Sequence, residues 1–225
     1  MTPTAVLLLK APVPGSVKTR LARDVGPNGA AEIYQRLVRH QLGQIPDDWP
    51  VTVHFTPAHA TDAMRTFLGD RPTYVAQPDG DLGVRLQHAT AQHFAQPSAG
   101  PLLLIGGDCP YLRKDVLTAA AATLGQREVC IIPALDGGYV LIGLAANHPT
   151  VFADIAWSTP RVYLQTTRQC LAAGLTLRLI EPALEDIDHL PAWQRALASG
   201  TMQTPPATES TSPPPPSPSA ATAVR

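Results

Sequence analysis

Short apolar runs alternate along the chain with stretches whose apolar positions recur every three or four residues, the pattern of strands interleaved with helices. Thr4–Lys10 (TAVLLLK) and Leu102–Ile105 (LLLI) are unbroken, as strands covered on both faces are. Val51–Phe55 alternates, Thr73–Ala76 is a short third strand, Val129–Ala134 and Tyr139–Leu144 follow one another closely, and Leu175–Ile180 alternates as the last. The helical spacing predicts a helix from an Asn28 N-cap to about Leu42, with Ala31, Ile33, Tyr34, Leu37, Val38 and Leu42 as its apolar stripe. Further helices are expected over Ala58–Leu68, from the 77–83 loop to about Phe94, over Lys114–Leu124, from a Ser158 or Thr159 cap to about Ala173, and over Leu190–Leu197. Strand–helix alternation through the first half predicts right-handed βαβ units, an α/β fold and a mostly parallel sheet. Asp136-Gly137-Gly138 turns one strand directly into the next, so the far edge of the sheet is expected to be mixed.

From Thr201 the pattern collapses into proline, serine, threonine and alanine, a composition that cannot bury a core. The expected organisation is therefore one domain over 1–200 and a disordered or polyproline-like tail over 201–225. A net charge of −1 supplies no push toward nucleic acid or an anionic membrane. The three cysteines lack C-x-x-C spacing, which argues against a disulfide framework or a structural zinc site and fits a reducing cytoplasm. No apolar run reaches the length of a signal peptide or a membrane span, so a soluble cytoplasmic protein is expected. Oligomeric state is left open.

The candidate chemistry gathers where strands end. The Leu102–Ile105 run stops at Gly106-Gly107-Asp108-Cys109-Pro110, and an ionised Asp108 cannot sit unpaired inside the core. It is expected at the strand's carboxyl end, where open α/β sheets keep their ligands, either as a ligand-facing acid or as a helix-capping turn acid. Loops 11–20, 77–85 and 136–138 end other strands and are expected to converge with it on one crevice. Gly15, Lys18 and Arg20, beside Pro12 and Pro14, form either a phosphate-holding loop or a solvated basic turn. It is not a Walker A loop, since Val17 precedes the lysine where glycine is needed. Gly80, Asp81, Gly83 and Arg85 could take the edge of a base or ribose. Asp108 suits Mg²⁺ or Mn²⁺, because magnesium often uses only one or two protein carboxylates with water and substrate phosphates. Asp136 is the leading second acid or merely part of a hairpin turn; late in the chain Asp188 caps the last helix, or the acidic loop of Glu185, Asp186 and Asp188 reaches the crevice as metal ligand or general base. Trp157-Ser158-Thr159 offers a stacking ring with hydroxyls, or a core tryptophan. The histidines show no metal-binding spacing, and Cys109 is rejected as a nucleophile because the adjacent carboxylate opposes its thiolate.

These motifs occur in an order that resembles a known family: Lys10–Gly15 with Lys18–Leu21, Gln77 with Asp81–Gly83 and Arg85, Gly106 with Asp108 and Pro110, Asp136–Tyr139 with Leu141–Leu144, Trp157–Thr159, and Asp186–Asp188. Over about Val6 to Leu197 the chain is similar to the DUF2064 family of bacterial proteins, of the glycosyltransferase type linked to arsenosugar biosynthesis. It departs from the family pattern at Gly107 and Cys109, where serines usually flank the acid, and after Asp188, where further acids usually follow. The resemblance extends to GT-A nucleotide-diphospho-sugar transferases and to nucleotidyltransferases. It implies a three-layer α/β/α fold around a mixed sheet, with Mg²⁺ or Mn²⁺ bound through the Asp108 turn.

The leading expectation is a metal-dependent GT-A-type transferase that moves a sugar from a nucleotide-activated donor to a small-molecule acceptor. Asp108, Asp188 and Lys18 are its expected catalytic residues. Pro14, Gly15, Lys18, Arg20, Gln77, Gly83, Arg85 and Gly107 are expected to bind the nucleotide, and Asp108 and Asp136 the metal. The rival is a nucleotidyltransferase joining a nucleoside monophosphate to a phosphorylated acceptor with release of pyrophosphate, mainly by positioning and charge neutralisation. A third reading is a non-catalytic nucleotide-binding scaffold whose tail recruits partners.

Overall fold

The strand β1 (Thr4–Lys10) shows how the apolar pattern is used. Ala5, Leu7 and Leu9 enter one core cluster, while Val6 and Leu8 pack into another on the opposite face. β4 (Leu102–Ile105) divides the same way, with Leu103 and Ile105 on one side and Leu102 and Leu104 on the other. An unbroken apolar run is thus buried on both faces, as a central parallel strand requires. The structure is a computed structural model that describes residues 1–203. All but the first three residues of the expected tail fall outside the described residues.

The sheet has seven strands in the order β3-β2-β1-β4-β6-β5-β7. β2 (Val51–Thr56) and β4 flank β1 in parallel, and β3 (Thr73–Ala76) lies parallel outside β2. β6 (Tyr139–Leu144) runs antiparallel between β4 and β5 (Glu128–Pro133), and β7 (Thr176–Leu179) closes the edge parallel to β5. The far edge is mixed, as the tight Asp-Gly-Gly turn implied. The hairpin, however, folds inward, so that β6 separates β4 from β5.

Helices cover both faces. α1 (Ala22–Gln44), α2 (Thr61–Leu68) and α4 (Lys114–Ala122) pack on the Leu7 side through residues such as Val38, Met64 and Leu117. α3 (Leu82–Phe94), a 3₁₀ turn at Pro149–Phe152 and α5 (Val162–Ala172) cover the Val6 side through Leu86, Phe152 and Cys170. The result is a three-layer α/β/α arrangement. α6 (Leu190–Ala198) packs on the outside of α1, where Trp193 and Ala196 join Ile33 and Leu37. No helix among the described residues is long and apolar enough to cross a membrane.

Several elements depart from the sequence pattern, among them α5, which starts at Val162 after an Arg161 cap position and not from the expected Ser158 or Thr159 cap. α1 begins at Ala22, and its backbone breaks at Gly26, where φ is 75° and ψ is 164°. Pro27 opens the longer segment, a position its fixed φ suits, so Asn28 lies inside the helix and is not its cap. α2 starts at Thr61, because Pro57–Ala60 forms a turn closed by Ala60 N–H donating to the Pro57 carbonyl at 3.0 Å. The 3₁₀ turn at Pro149–Phe152 is too short to leave a periodic signal.

Gly143 keeps β6 close to both neighbours. It pairs with Leu103 on β4 and Cys130 on β5, and a Cβ there would strike the Cys130 sulfur and come within 2.7 Å of Leu103 Cδ2. Overpacking a filled core costs about 1–3 kcal/mol. Gly143→Ala is expected to lower the unfolding free energy by that amount, read as a lower urea midpoint with an unchanged denaturant slope.

Candidate functional site

The loop after β1 is shaped to turn one lysine inward. Ala11 and Val17 are buried and anchor its two ends, while Ser16 donates to the Val13 carbonyl from its backbone N–H at 3.0 Å and from its hydroxyl at 2.7 Å. Gly15 takes φ +83°, and Lys18 itself adopts φ +47°, a conformation uncommon for a residue with a side chain. Lys18 Nζ then donates to Asp108 Oδ2 and to Asp188 Oδ1, both at 2.9 Å. Arg20 Nη1 donates to Asp188 Oδ2 at 2.8 Å. The Lys18 side chain is only 5% exposed, whereas Asp108 and Asp188 keep 38% and 35% of theirs.

Asp108 arrives from the end of β4. The chain can turn there because Gly107 lies against α1 and β1, where a Cβ would approach Leu9 Cδ2 and Val38 Cγ2 at 2.7 Å each. Asp188 arrives from the segment after β7. That segment is pinned beside β5 by Leu184 N–H donating to the Pro133 carbonyl, and beside β4 by Ile187 N–H donating to the Asp108 carbonyl, each at 2.9 Å. Ile187 is fully buried among α1 and α6. An apolar anchor between two acids leaves Asp186 and Asp188 on the opposite side, facing the crevice.

Asp186, which the sequence offers only as part of the acidic 185–188 stretch, joins the site. Its Oδ1 is buried without a hydrogen-bond partner. Burial, reinforced by Asp108 and only partly offset by Lys18, pushes its carboxyl up to about 8. Asp188 behaves in the opposite way. Burial would raise its pKa, but Lys18, with Arg20 behind it, outweighs this and holds the group below the usual carboxylate range. For Lys18, burial alone would favour the neutral amine, yet Asp108 and Asp188 together keep its pKa above the ordinary lysine value. The sequence offers Asp186 as one acid of the 185–188 stretch and of the Asp186–Asp188 motif, and its alternation with Asp188 around Ile187 sets it on the crevice side.

Two adjoining cavities meet at this cluster. One, of about 350 Å³, lies between the end of β1, residues 16–20 and Gly106–Asp108. The other, of about 480 Å³, has Asp108, Asp136, Asp186 and Asp188 on its acidic side and Leu82 and Trp157 among its apolar walls. Asp136 accepts a hydrogen bond at Oδ1 from Gly138 N–H at 2.9 Å, so it shapes its own turn while lining the cavity. Asp188 does not cap α6, whose cap position is His189.

The remaining candidates sit differently. Gln77 donates to the Leu9 carbonyl at 3.2 Å and to the His54 carbonyl at 2.6 Å, and accepts from Arg85 Nη1 at 3.0 Å. It ties the ends of β1 and β2 together and aims Arg85, whose Nε is buried without a partner. Gly83 serves a close approach, since a Cβ there would lie 2.7 Å from Trp157 Nε1. Asp81 caps α3 by accepting from Val84 N–H at 3.0 Å. Pro14 and Gly15 are exposed at the loop tip, outside both cavities. The Cys109 thiol is buried and pushed far up by burial and by Asp186, which leaves it no nucleophilic character.

The family described as "Uncharacterized protein conserved in bacteria (DUF2064)" matches residues 42–159, more than half of the chain. A solved structure of a candidate nucleotide-diphospho-sugar transferase from Desulfovibrio desulfuricans G20 is 31% identical, with 84% of each chain covered and a TM-score of 0.77. A nucleotidyl transferase from Methanothermobacter thermautotrophicus shares the fold at 15% identity and a TM-score of 0.58, over 87% of this chain and 97% of its own. A Mycobacterium tuberculosis H37Rv protein solved in complex with manganese shares it at 17% identity and a TM-score of 0.51, over 88% of this chain and 100% of its own. No curated protein matches the chain.

Two stability measurements follow from the charge cluster. Lys18→Met leaves Asp108 and Asp188 facing one another without their shared cation. Removing one partner of a fully buried pair costs about 3–5 kcal/mol, and the partial exposure of the acids reduces this to about 1–3 kcal/mol at pH 7. Asp186 reports on pH. Its folded form holds a proton up to about 8 that the unfolded chain releases near 3.8, so stability falls as pH rises through that window. Asp186→Asn removes this slope, and its melting temperature in metal-free buffer should exceed that of the wild type increasingly between pH 5 and pH 8.

Proposed function

The chain belongs to the DUF2064 family, and within it we propose that this protein is a divalent-metal-dependent transferase of GT-A type, moving a sugar from a nucleotide-activated donor to a small hydroxyl-bearing acceptor. The observation that carries this reading is the meeting of Lys18, Arg20, Asp108 and Asp188 in one crevice, at the carboxyl ends of β1 and β4. That crevice is the ligand position of an open α/β sheet. Similarity to the Desulfovibrio protein supports the donor class.

The residues present fit Mg²⁺ or Mn²⁺. Four carboxylates stand against two cations, and all offer the hard oxygen donors these ions prefer. Asp108 and Asp136 are the side chains that would hold the ion, which when bound supplies positive charge to the departing diphosphate. Lys18 and Arg20 bind the diphosphate oxygens, Lys18 as a point charge and Arg20 as a forked donor. Gly107 borders the donor cavity through its backbone, its missing side chain sparing Leu9 and Val38 of the core. Arg85, held by Gln77, is the side chain assigned to the nucleoside, while Pro14 and Gly15, exposed outside both cavities, take no part in this reading. Asp188 uses both oxygens on Lys18 and Arg20 and positions them. Asp186, with an unpartnered Oδ1 and a pKa raised to about 8, is better suited, once ionised, to take the acceptor hydroxyl's proton.

A second reading, nucleotidyl transfer from a nucleoside triphosphate to a phosphorylated acceptor, is favoured by the two cations of one short loop, which match a triphosphate well. Products separate the two. Incubation with nucleotide-sugars, nucleoside triphosphates and a small-molecule extract is expected to release nucleoside diphosphate. Pyrophosphate release would instead establish the second reading, and turnover of neither donor would overturn both. Asp108→Asn is expected to lower turnover by about 10²–10³-fold, as for loss of a group that stabilises developing charge. It should also weaken nucleotide binding much more with Mg²⁺ than without it.

A further inference from the structure

We propose that Lys18 is a latch: its ammonium occupies the acidic crevice in the ligand-free protein, a divalent cation enters by displacing it, and the freed lysine then turns to the phosphates of the incoming nucleotide. The proposal rests on the metal-dependent reading above and concerns how that site is filled.

The geometry points this way through several independent features. Lys18 Nζ lies 2.9 Å from an oxygen of Asp108 and 2.9 Å from an oxygen of Asp188, the acids a hard cation would seek. A lysine ammonium is a compact point charge, and at this position it balances the same carboxylates that a metal would. Its side chain is nearly inaccessible, whereas Arg20, two residues on, stays 58% exposed and available to a ligand from the start. Among the described residues no three acidic, histidine or cysteine side chains converge closely enough to hold a metal as they stand. The crevice nevertheless holds more carboxyl groups than cations, with Asp136 and the unpartnered buried oxygen of Asp186 lining it beside Asp108 and Asp188. One cation is therefore already seated between two acids, at the place a stronger one would take from it.

The backbone allows the exchange. Lys18 sits at φ +47° in the left-handed region, followed by exposed Thr19 and Arg20 and preceded by an open turn at Gly15, whose φ is +83°. Buried Val17 fixes the loop's position, so the lysine side chain can swing without displacing the chain. The adjoining cavity of about 350 Å³, lined by Lys10, residues 16–20 and Gly107, is where that side chain would turn. Two ligands thus become coupled through one residue: the metal frees the lysine, and the diphosphate receives it. Such linkage is reciprocal, so each ligand should tighten the other, and couplings of this kind commonly reach about tenfold.

Mn²⁺ and inorganic pyrophosphate test the latch without any assumption about base or sugar. Lys18→Met is expected to bind Mn²⁺ alone about tenfold more tightly than the wild type while binding pyrophosphate more weakly. A merely structural lysine would weaken both. Because Lys18→Met is itself expected to be less stable, the wild-type protein provides a second measurement. Acetylation of Lys18, followed by mass spectrometry against exposed Lys114 as internal reference, should be slow in metal-free protein. It should rise several-fold with saturating Mn²⁺ and fall again when pyrophosphate is added. A Lys18 that stays protected in Mn²⁺, or a Lys18→Met protein that gains no Mn²⁺ affinity, overturns the latch. That result leaves the transferase reading intact if Asp108-dependent turnover is present. Conversely, gained Mn²⁺ affinity in a protein that turns over no donor supports the latch and removes the transferase reading. Absence of Mn²⁺ binding by either protein, with or without pyrophosphate, overturns the latch and the metal dependence together.

Discussion

A single ammonium group joins three parts of the chain that are remote in sequence. Lys18 reaches Asp108, ninety residues away, and Asp188, one hundred and seventy away, and each acid is delivered by a different element. Ion pairs withdrawn from water gain little net stability, because desolvation offsets most of their attraction. What holds the three segments together is the apolar anchor beside each charge. Val17 stands next to Lys18, the Leu9–Val38 contact presses on Gly107 next to Asp108, and Ile187 stands next to Asp188. The hydrophobic core sets the positions, and the charges then select one arrangement at its edge.

The second wall of the crevice depends on close backbone approach. Gly137 lies so near Pro160 that a Cβ would come within 2.7 Å of the proline Cα, and the Gly137 carbonyl accepts from Tyr163 N–H at 3.0 Å. Gly83 plays the same part under Trp157. Two glycines thus draw the 157–163 segment against the β5–β6 turn and the start of α3. Asp136 and Trp157 share a cavity as a consequence. Both residues had a plain structural reading from sequence, a hairpin turn and a core ring. The turn geometry at Asp136 and the partial burial of Trp157 agree with those readings and with a place at the crevice at once.

The site also shows how similar residue types acquire different properties. Asp186 and Asp188 are two positions apart on one strand-like segment. One is buried beside Asp108 and is driven toward the neutral acid, and the other faces Lys18 and Arg20 and stays ionised. An acid held near neutrality beside one held ionised is an arrangement from which proton transfer can be built.

By itself the sequence determined the class of fold and the edge at which chemistry gathers. Unbroken runs such as TAVLLLK and LLLI can be satisfied only between two layers of helices, and the glycines, prolines and acids at their ends cannot be buried with them. It also brought forward Lys18, Arg20, Asp108 and Asp188, because charge at the end of a core strand has few places to go. Only the tertiary structure decided which charges touch. The inward fold of β6, the ties from Gln77 to the Leu9 and His54 carbonyls and to Arg85, the orphaned oxygen of Asp186 and the seat of Lys18 between two acids all arise from contacts between segments far apart along the chain. Local pattern carries no record of such contacts, since they are fixed by how layers pack and not by the spacing of neighbours.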